Sequence, residues 1–161
     1  MGKGWQQMVL PPLALAVAGL AGAFALHATQ PPLPFVLPED GEAARAGIIV
    51  MGSAMVTAGA LLFALGAREL ANAGTPTAAG ARPTVLVDSG VFAFSRNPMF
   101  VGQVCGLLGV SVVMNSLYGL LCANPLLLYC GLVAVPAEER ALQAAFDKDY
   151  KVYCGRVRRW M

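Results

Sequence analysis

Asp88-Ser89-Gly90-Val91-Phe92-Ala93-Phe94-Ser95-Arg96-Asn97-Pro98-Met99-Phe100-Val101-Gly102 is the stretch on which the fold turns. It closes a polar segment and opens an apolar one. Pro98 suits a first helical turn, where its missing N–H would be unpaired anyway. Asn97 before it reads as the N-cap, because the residue ahead of a proline is pushed out of helical geometry. The helix that starts here brings its positive dipole end and free N–H groups close to Arg96. That combination suits a carboxylate or phosphate.

Working outward, residues 98–114 read as an apolar span with Gly102-x-x-x-Gly106 and Gly109 as a close-packing face. Asn115-Ser116 is a turn, and residues 117–135 return as the next span, giving a tight helical hairpin. Asn124-Pro125 is expected to kink that span and free a carbonyl one turn earlier. Upstream, residues 46–67 form a span rich in Gly, Ala and Ser (Gly52, Ser53, Ala54, Ala58, Gly59, Ala60), a packing face. Residues 8–28 form the first span, with Pro11 and Pro12 in its opening turn. Gln30 to Arg45 is a proline-rich acidic loop, and Ala71 to Thr84 a turn-rich linker. Thr84-Val85-Leu86-Val87 reads as a short extended piece leading into the motif.

From Pro136 the pattern becomes amphipathic. Leu142, Phe146, Tyr150, Tyr153, Val157 and Trp160 recur at spacings of three and four, so they share one helix face. Arg156, Arg158 and Arg159 beside Trp160 suit a lipid interface. The fold class is therefore an all-α membrane protein. It has four transmembrane helices, a tight third/fourth hairpin and a C-terminal amphipathic interfacial helix over 136–161, all in one membrane domain (1–161).

Composition supports this: 57% hydrophobic and 12% charged residues, with a mean hydropathy of +0.64, are too apolar for an ordinary soluble domain. A net charge of +2 gives no reason to expect nucleic acid as a partner. Cys105, Cys122, Cys130 and Cys154 lack metal-ligand spacing, so no metal is expected. His27, the only histidine, reads as an interfacial residue at a helix end. The first apolar run lacks a clear cleavage site and reads as a span rather than a secretory signal. Lys3, Arg68, Arg82, Arg96, Arg140, Lys148, Lys151, Arg156, Arg158 and Arg159 fall on one side of the four spans, and Arg45 alone on the other. The positive-inside rule then puts both termini, the motif and the tail on the cytoplasmic or organellar-equivalent side.

The central stretch, Ser-Gly-x-Phe-x-Phe-Ser-Arg-Asn-Pro-Met-Phe-x-Gly, resembles the Gly-Pro-Tyr-Arg-Tyr-x-Arg-(Asn/His)-Pro-x-Tyr-x-Gly motif of isoprenylcysteine carboxyl methyltransferases and related phospholipid methyltransferases. Glu138-Glu139-x-x-Leu142-x-x-x-Phe146-Asp147-x-Asp149-Tyr150-x-x-Tyr153 resembles the acidic pair and tyrosines that follow in that family. Cys122-Ala123-Asn124-Pro125 is a weaker likeness to its Cys-Asn-Pro. The resemblance covers about residues 75–160 and implies S-adenosylmethionine as cofactor. It makes Arg96, Asn97, Pro98, Glu138, Glu139, Tyr150 and Tyr153 the cofactor-binding residues, with Arg96 and Glu139 also in catalytic roles. The implied partners are the lipid bilayer and a lipophilic methyl acceptor: a prenylcysteine-like carboxylate, a phospholipid amine or a small thiol. Val91 stands where the motif has proline and Ala93 where it has arginine, while Phe92, Phe94 and Phe100 replace tyrosines. Those departures define the alternative, a catalytically degenerate member acting as a structural accessory subunit among other membrane subunits.

Overall fold

The computed structural model describes residues 12–30, 41–76 and 81–161. Residues 8–11 of the first expected span, Lys3, most of the proline-rich loop and positions 77–80 lie outside them. Five helices follow in order: α1 (Pro12–Thr29), α2 (Glu42–Asn72), α3 (Pro98–Val113), α4 (Leu117–Tyr129) and α5 (Val135–Arg156). A single 3₁₀ turn, Gly90–Ala93, sits within the central motif. The described residues contain no strand, and Thr84–Val87 runs as irregular chain with a bend rather than as an extended element.

Among the described residues, two continuous helical segments are long and apolar enough to cross a membrane: Glu42–Asn72, and Leu117–Arg156 taken through its irregular middle. At 1.5 Å per residue, α2 is about 46 Å long and overreaches a hydrocarbon core of about 30 Å. Pro98–Val113 is apolar but only 16 residues long. It leans on α2 for its place.

That support is backbone against backbone. Gly52, Gly59 and Gly66 lie at intervals of seven on the buried face of α2. A Cβ on Gly59 would stand 2.5 Å from the Gly102 carbonyl oxygen, and one on Gly102 would stand 2.6 Å from that of Gly59. Gly52 and Gly109 meet in the same way, at 2.7 Å in each direction. The helices therefore run antiparallel with the spacing of seven matched on both sides. Gly106 departs from the expected Gly-x-x-x-Gly pair. Its backbone supports Gly59, but a Cβ of its own would meet nothing within 4 Å. Ser53, Ala54, Ala58 and Ala60 face outward.

On the other side of α3, Phe100, Leu107, Ala123, Leu126, Cys130, Ala134 and Val135 form the main core, joined by Leu15, Ala16 and Leu20 of α1. Residues 114–116 connect α3 and α4, so the expected hairpin is short. The helix runs through Pro125 to Tyr129, and the Asn124 side chain donates to the Leu120 carbonyl at 2.9 Å. The departure from α geometry comes later than expected, as a π turn over Cys130–Ala134. Pro136 explains its position: without an N–H it offers no bond to the carbonyl four residues back, and a wider turn accommodates the ring.

A second break bends α5. Asp147 has φ 30° and ψ −92°, so the chain changes direction inside the tail that sequence periodicity reads as one continuous helix. Gln143 Nε2 holds the break by donating to the Asp147 carbonyl (3.2 Å) and carboxylate (3.1 Å), and Lys151 pairs with the carboxylate at 3.1 Å. Beyond the break, Tyr150, Tyr153 and Val157 are buried, with Leu142, Phe146 and Leu86 packed around them. The expected apolar face is thus spent largely against the protein itself, while Trp160 at its end stays exposed.

Candidate functional site

The bend at Asp147 returns the chain end to the motif, where polar bonds fasten it. The Arg96 N–H donates to the Arg158 carbonyl at 3.0 Å. The Arg159 carbonyl accepts from Asn97 Nδ2 at 3.0 Å and from Ser95 Oγ at 3.4 Å. Tyr153 donates its hydroxyl to the Phe92 carbonyl at 2.7 Å, and Arg156 pairs with Asp88 at 2.7 Å. Asn97 occupies the N-cap position, as the sequence predicts, yet its side chain makes no capping bond. The amide holds the tail instead, and Ser95 Oγ accepts the Asn97 N–H at 3.2 Å. Pro98 opens α3 and is buried.

Arg96 and Glu139, far apart in sequence, form an ion pair at 3.2 Å with only 15% and 16% of their side chains exposed. Glu139 also receives Arg159 in a two-pronged contact, Nε at 2.9 Å and Nη2 at 2.6 Å. Both carboxylate oxygens are therefore committed, in the geometry that makes arginine–carboxylate contacts strong and directional. The bond from Glu139 raises the Arg159 pKa above its ordinary value. The Cys154 sulfur accepts from the second terminal nitrogen of Arg96, while Arg96 Nε is buried with no partner.

Glu138 faces elsewhere. It lines a cavity of about 70 Å³. The walls are Phe92, Arg96 and Phe100 from the motif, Ala134, Ala137, Ala141 and Leu142 from the π turn and α5, and Thr75 with Val85–Val87 from the linker. Glu138 is exposed, and the space it is exposed to is this cavity; protein closes round it on the remaining sides. That crowding, and after it the charge of Glu139, raises its pKa above the ordinary carboxylate value. Among the described residues, no hydrogen bond or ion pair engages it. Thr75 folds the linker over the cavity, its Oγ1 accepting the Thr84 N–H at 3.0 Å.

The residues singled out in the sequence thus divide. Arg96, Glu138 and the Tyr153 ring share the cavity. Glu139 and Tyr150 lie instead on an opening on the other side of Arg96, with Arg140, Cys154 and Arg159. Asn97 and Pro98 shape the backbone beneath without lining either space. Arg159, read in the sequence as an interfacial charge, is central to the polar network, and only its place in a basic cluster marks it. The motif's departures fall unevenly. Phe94 is 77% exposed and Phe100 is packed in the apolar core, so neither position leaves a polar partner stranded.

The helical bundle exposes apolar side chains along α2 and carries at one end a cavity lined by a carboxylate and a guanidinium. The family model of the phospholipid methyltransferases matches residues 48–149, well over half the chain, from within α2 to just past the bend in α5. The chain belongs to that family, and its class is that of membrane methyltransferases. Neither a curated protein nor a solved structure matches it.

Proposed function

We propose that the chain is a methyltransferase that uses S-adenosylmethionine and methylates a lipophilic acceptor at the membrane surface. The observation that carries this reading is Glu138, an acceptor-only carboxylate with no partner among the described residues, in a cavity that Arg96 also lines. A carboxylate is costly to keep among protein atoms unless something pairs with it.

The lining fits the cofactor's groups. Glu138 is suited to the ammonium or the ribose diol, Arg96 to the carboxylate, and Phe92, Phe100 and the Tyr153 ring to the adenine. Bound there, S-adenosylmethionine supplies a methyl group made electrophilic by its sulfonium. The chain's own contribution is to orient and to exclude water: Thr75 and Val85–Val87 cover the cavity, and the Arg96–Glu139–Arg159 network fixes the guanidinium. Among the lining residues Glu138 is the titratable acceptor, and its place by the cofactor's polar groups makes it a binding residue rather than a base. A carboxylate or thiolate acceptor needs no base, because alignment and dryness supply the acceleration.

Labelled S-adenosylmethionine and purified protein provide the test. Saturable binding is expected, with Glu138→Gln weakening it by about 1.5–3 kcal/mol, the worth of a hydrogen bond to a charged group. Arg96→Ala is expected to fall in the same range, and Glu139 keeps Arg159 as a partner in that variant. No binding at millimolar cofactor favours the structural-subunit reading and sinks this one.

A further inference from the structure

We infer that the opening on the other side of Arg96 from the Glu138 cavity is a second ligand site, built for an oxyanion: a phosphate or a carboxylate. It goes beyond the cofactor site proposed above and stands on different atoms.

Two buried donors lack acceptors there. Tyr150 is 3% exposed, lines the opening, and its hydroxyl has no hydrogen-bond partner. The hydroxyl lies beside the Cys154 sulfur, a weak hydrogen-bonding group that already accepts from Arg96. Arg96 Nε is the second orphan, on a side chain that walls the same opening. Unsatisfied buried polar groups are rare in native proteins and call for a specific explanation. Both of these are short of the same thing, an acceptor oxygen.

Charge points the same way. Arg96, Arg140 and Arg159 line the opening against a single acid, Glu139. Both Glu139 oxygens are taken by Arg96 and Arg159, so it offers an incoming ligand little further acceptor capacity. Arg140 forms no ion pair; its Nε donates to the Pro136 carbonyl at 3.1 Å, and its terminal nitrogens remain for a ligand. An oxyanion entering here gains the Arg140 fork and the excess positive charge at once, and the Tyr150 hydroxyl, shielded behind the lining, as the side chains turn to meet it.

The test uses the full chain in a neutral detergent and follows binding by calorimetry. Inorganic phosphate and dihexanoyl phosphatidate, each without cofactor, are the two probes. Saturable binding is expected, weakened about tenfold or more in the double variant Tyr150→Phe/Arg140→Gln and unchanged in Arg156→Gln. Tyr150→Phe removes at most a weak contact with the Cys154 sulfur and Arg140 is exposed, so the double variant is expected to fold. Arg156, paired with Asp88, lies outside the lining and reports non-specific charge attraction. Tighter binding of the phosphatidate identifies a lipid headgroup as the occupant; equal binding identifies a free anion. Absence of saturable binding for both probes up to millimolar concentration overturns the inference. An equal loss in Arg156→Gln does so as well. Competition between the anion and S-adenosylmethionine also overturns it, because a single ligand then uses both sides of Arg96. Binding of the anion with no binding of cofactor leaves this site standing and removes only the cofactor reading.

Discussion

Glu138 and Glu139 are adjacent in sequence, and the fold treats them in opposite ways. Glu139 has two arginines; Glu138 has a cavity. Both carboxylates are legible in the sequence as a pair at the start of a helix, but their division is not, because it depends on which side of Arg96 each faces. It has a consequence for pH. The folded protein raises the Glu138 pKa by desolvation, so the fold favours its protonated form. Stability linked to that proton is complete below the unfolded-state value of about 4.3 and is lost as pH rises through the higher folded value. Glu138→Gln stays neutral throughout. It is therefore expected to melt above the parent at pH 8, by a margin that shrinks towards pH 4, while losing cofactor affinity. A margin in thermal midpoint that is the same at both pH values shows that Glu138 does not carry this cost.

At the scale of elements, the α2–α3 contact was legible as small residues, though not in its register. The sequence offers Gly102 and Gly106 as a pair at four. The structure selects Gly102 and Gly109 at seven, because only that interval meets Gly59 and Gly52 of the antiparallel helix. Gly59→Ala therefore adds a methyl group against the Gly102 carbonyl at 2.5 Å and the Gly106 nitrogen at 2.7 Å, both fixed backbone. Overpacking of this kind costs about 1–3 kcal/mol. Ala58→Leu, one residue away and exposed, is expected to change stability by less than about 0.5 kcal/mol. Equal thermal shifts for the two variants contradict the register. The break at Asp147 was hidden for a different reason. Tyr150 and Tyr153 keep the same three- and four-residue spacing as Leu142 and Phe146, so periodicity runs straight through a bend that one residue's torsion angles create. The contacts of Arg159 depend on that bend, which is why no local pattern announces them.

Across the whole molecule, the two ends of the bundle differ in charge. Arg45, near the start of α2, shares a pocket with Val113, Met114 and Asn115 at the α3–α4 turn. Arg68, near the other end of α2, is on the side where Gly66 meets Pro98 and Met99 and where Arg96 and the tail arginines gather. A stretch of lysines and arginines beside a span is retained on the cytoplasmic side during insertion, so the expected orientation puts the Arg68 end on that side. In that orientation the Glu138 cavity and the opening beside Arg140 are expected to face the compartment that supplies polar metabolites. The exposed apolar residues of α2, such as Ile49, Val50, Leu61 and Leu65, face lipid. Single cysteines at Glu42 and at Arg158, in a chain whose four native cysteines are replaced by serine or alanine, test the arrangement directly. A membrane-impermeant maleimide applied to intact cells is expected to label the Glu42→Cys protein and to reach Arg158→Cys only after permeabilisation. Labelling of both positions from one side removes the odd number of crossings between them. Labelling in the reverse order leaves the crossings but turns the site away from the cytoplasm, and with it the expected access of cofactor to Glu138.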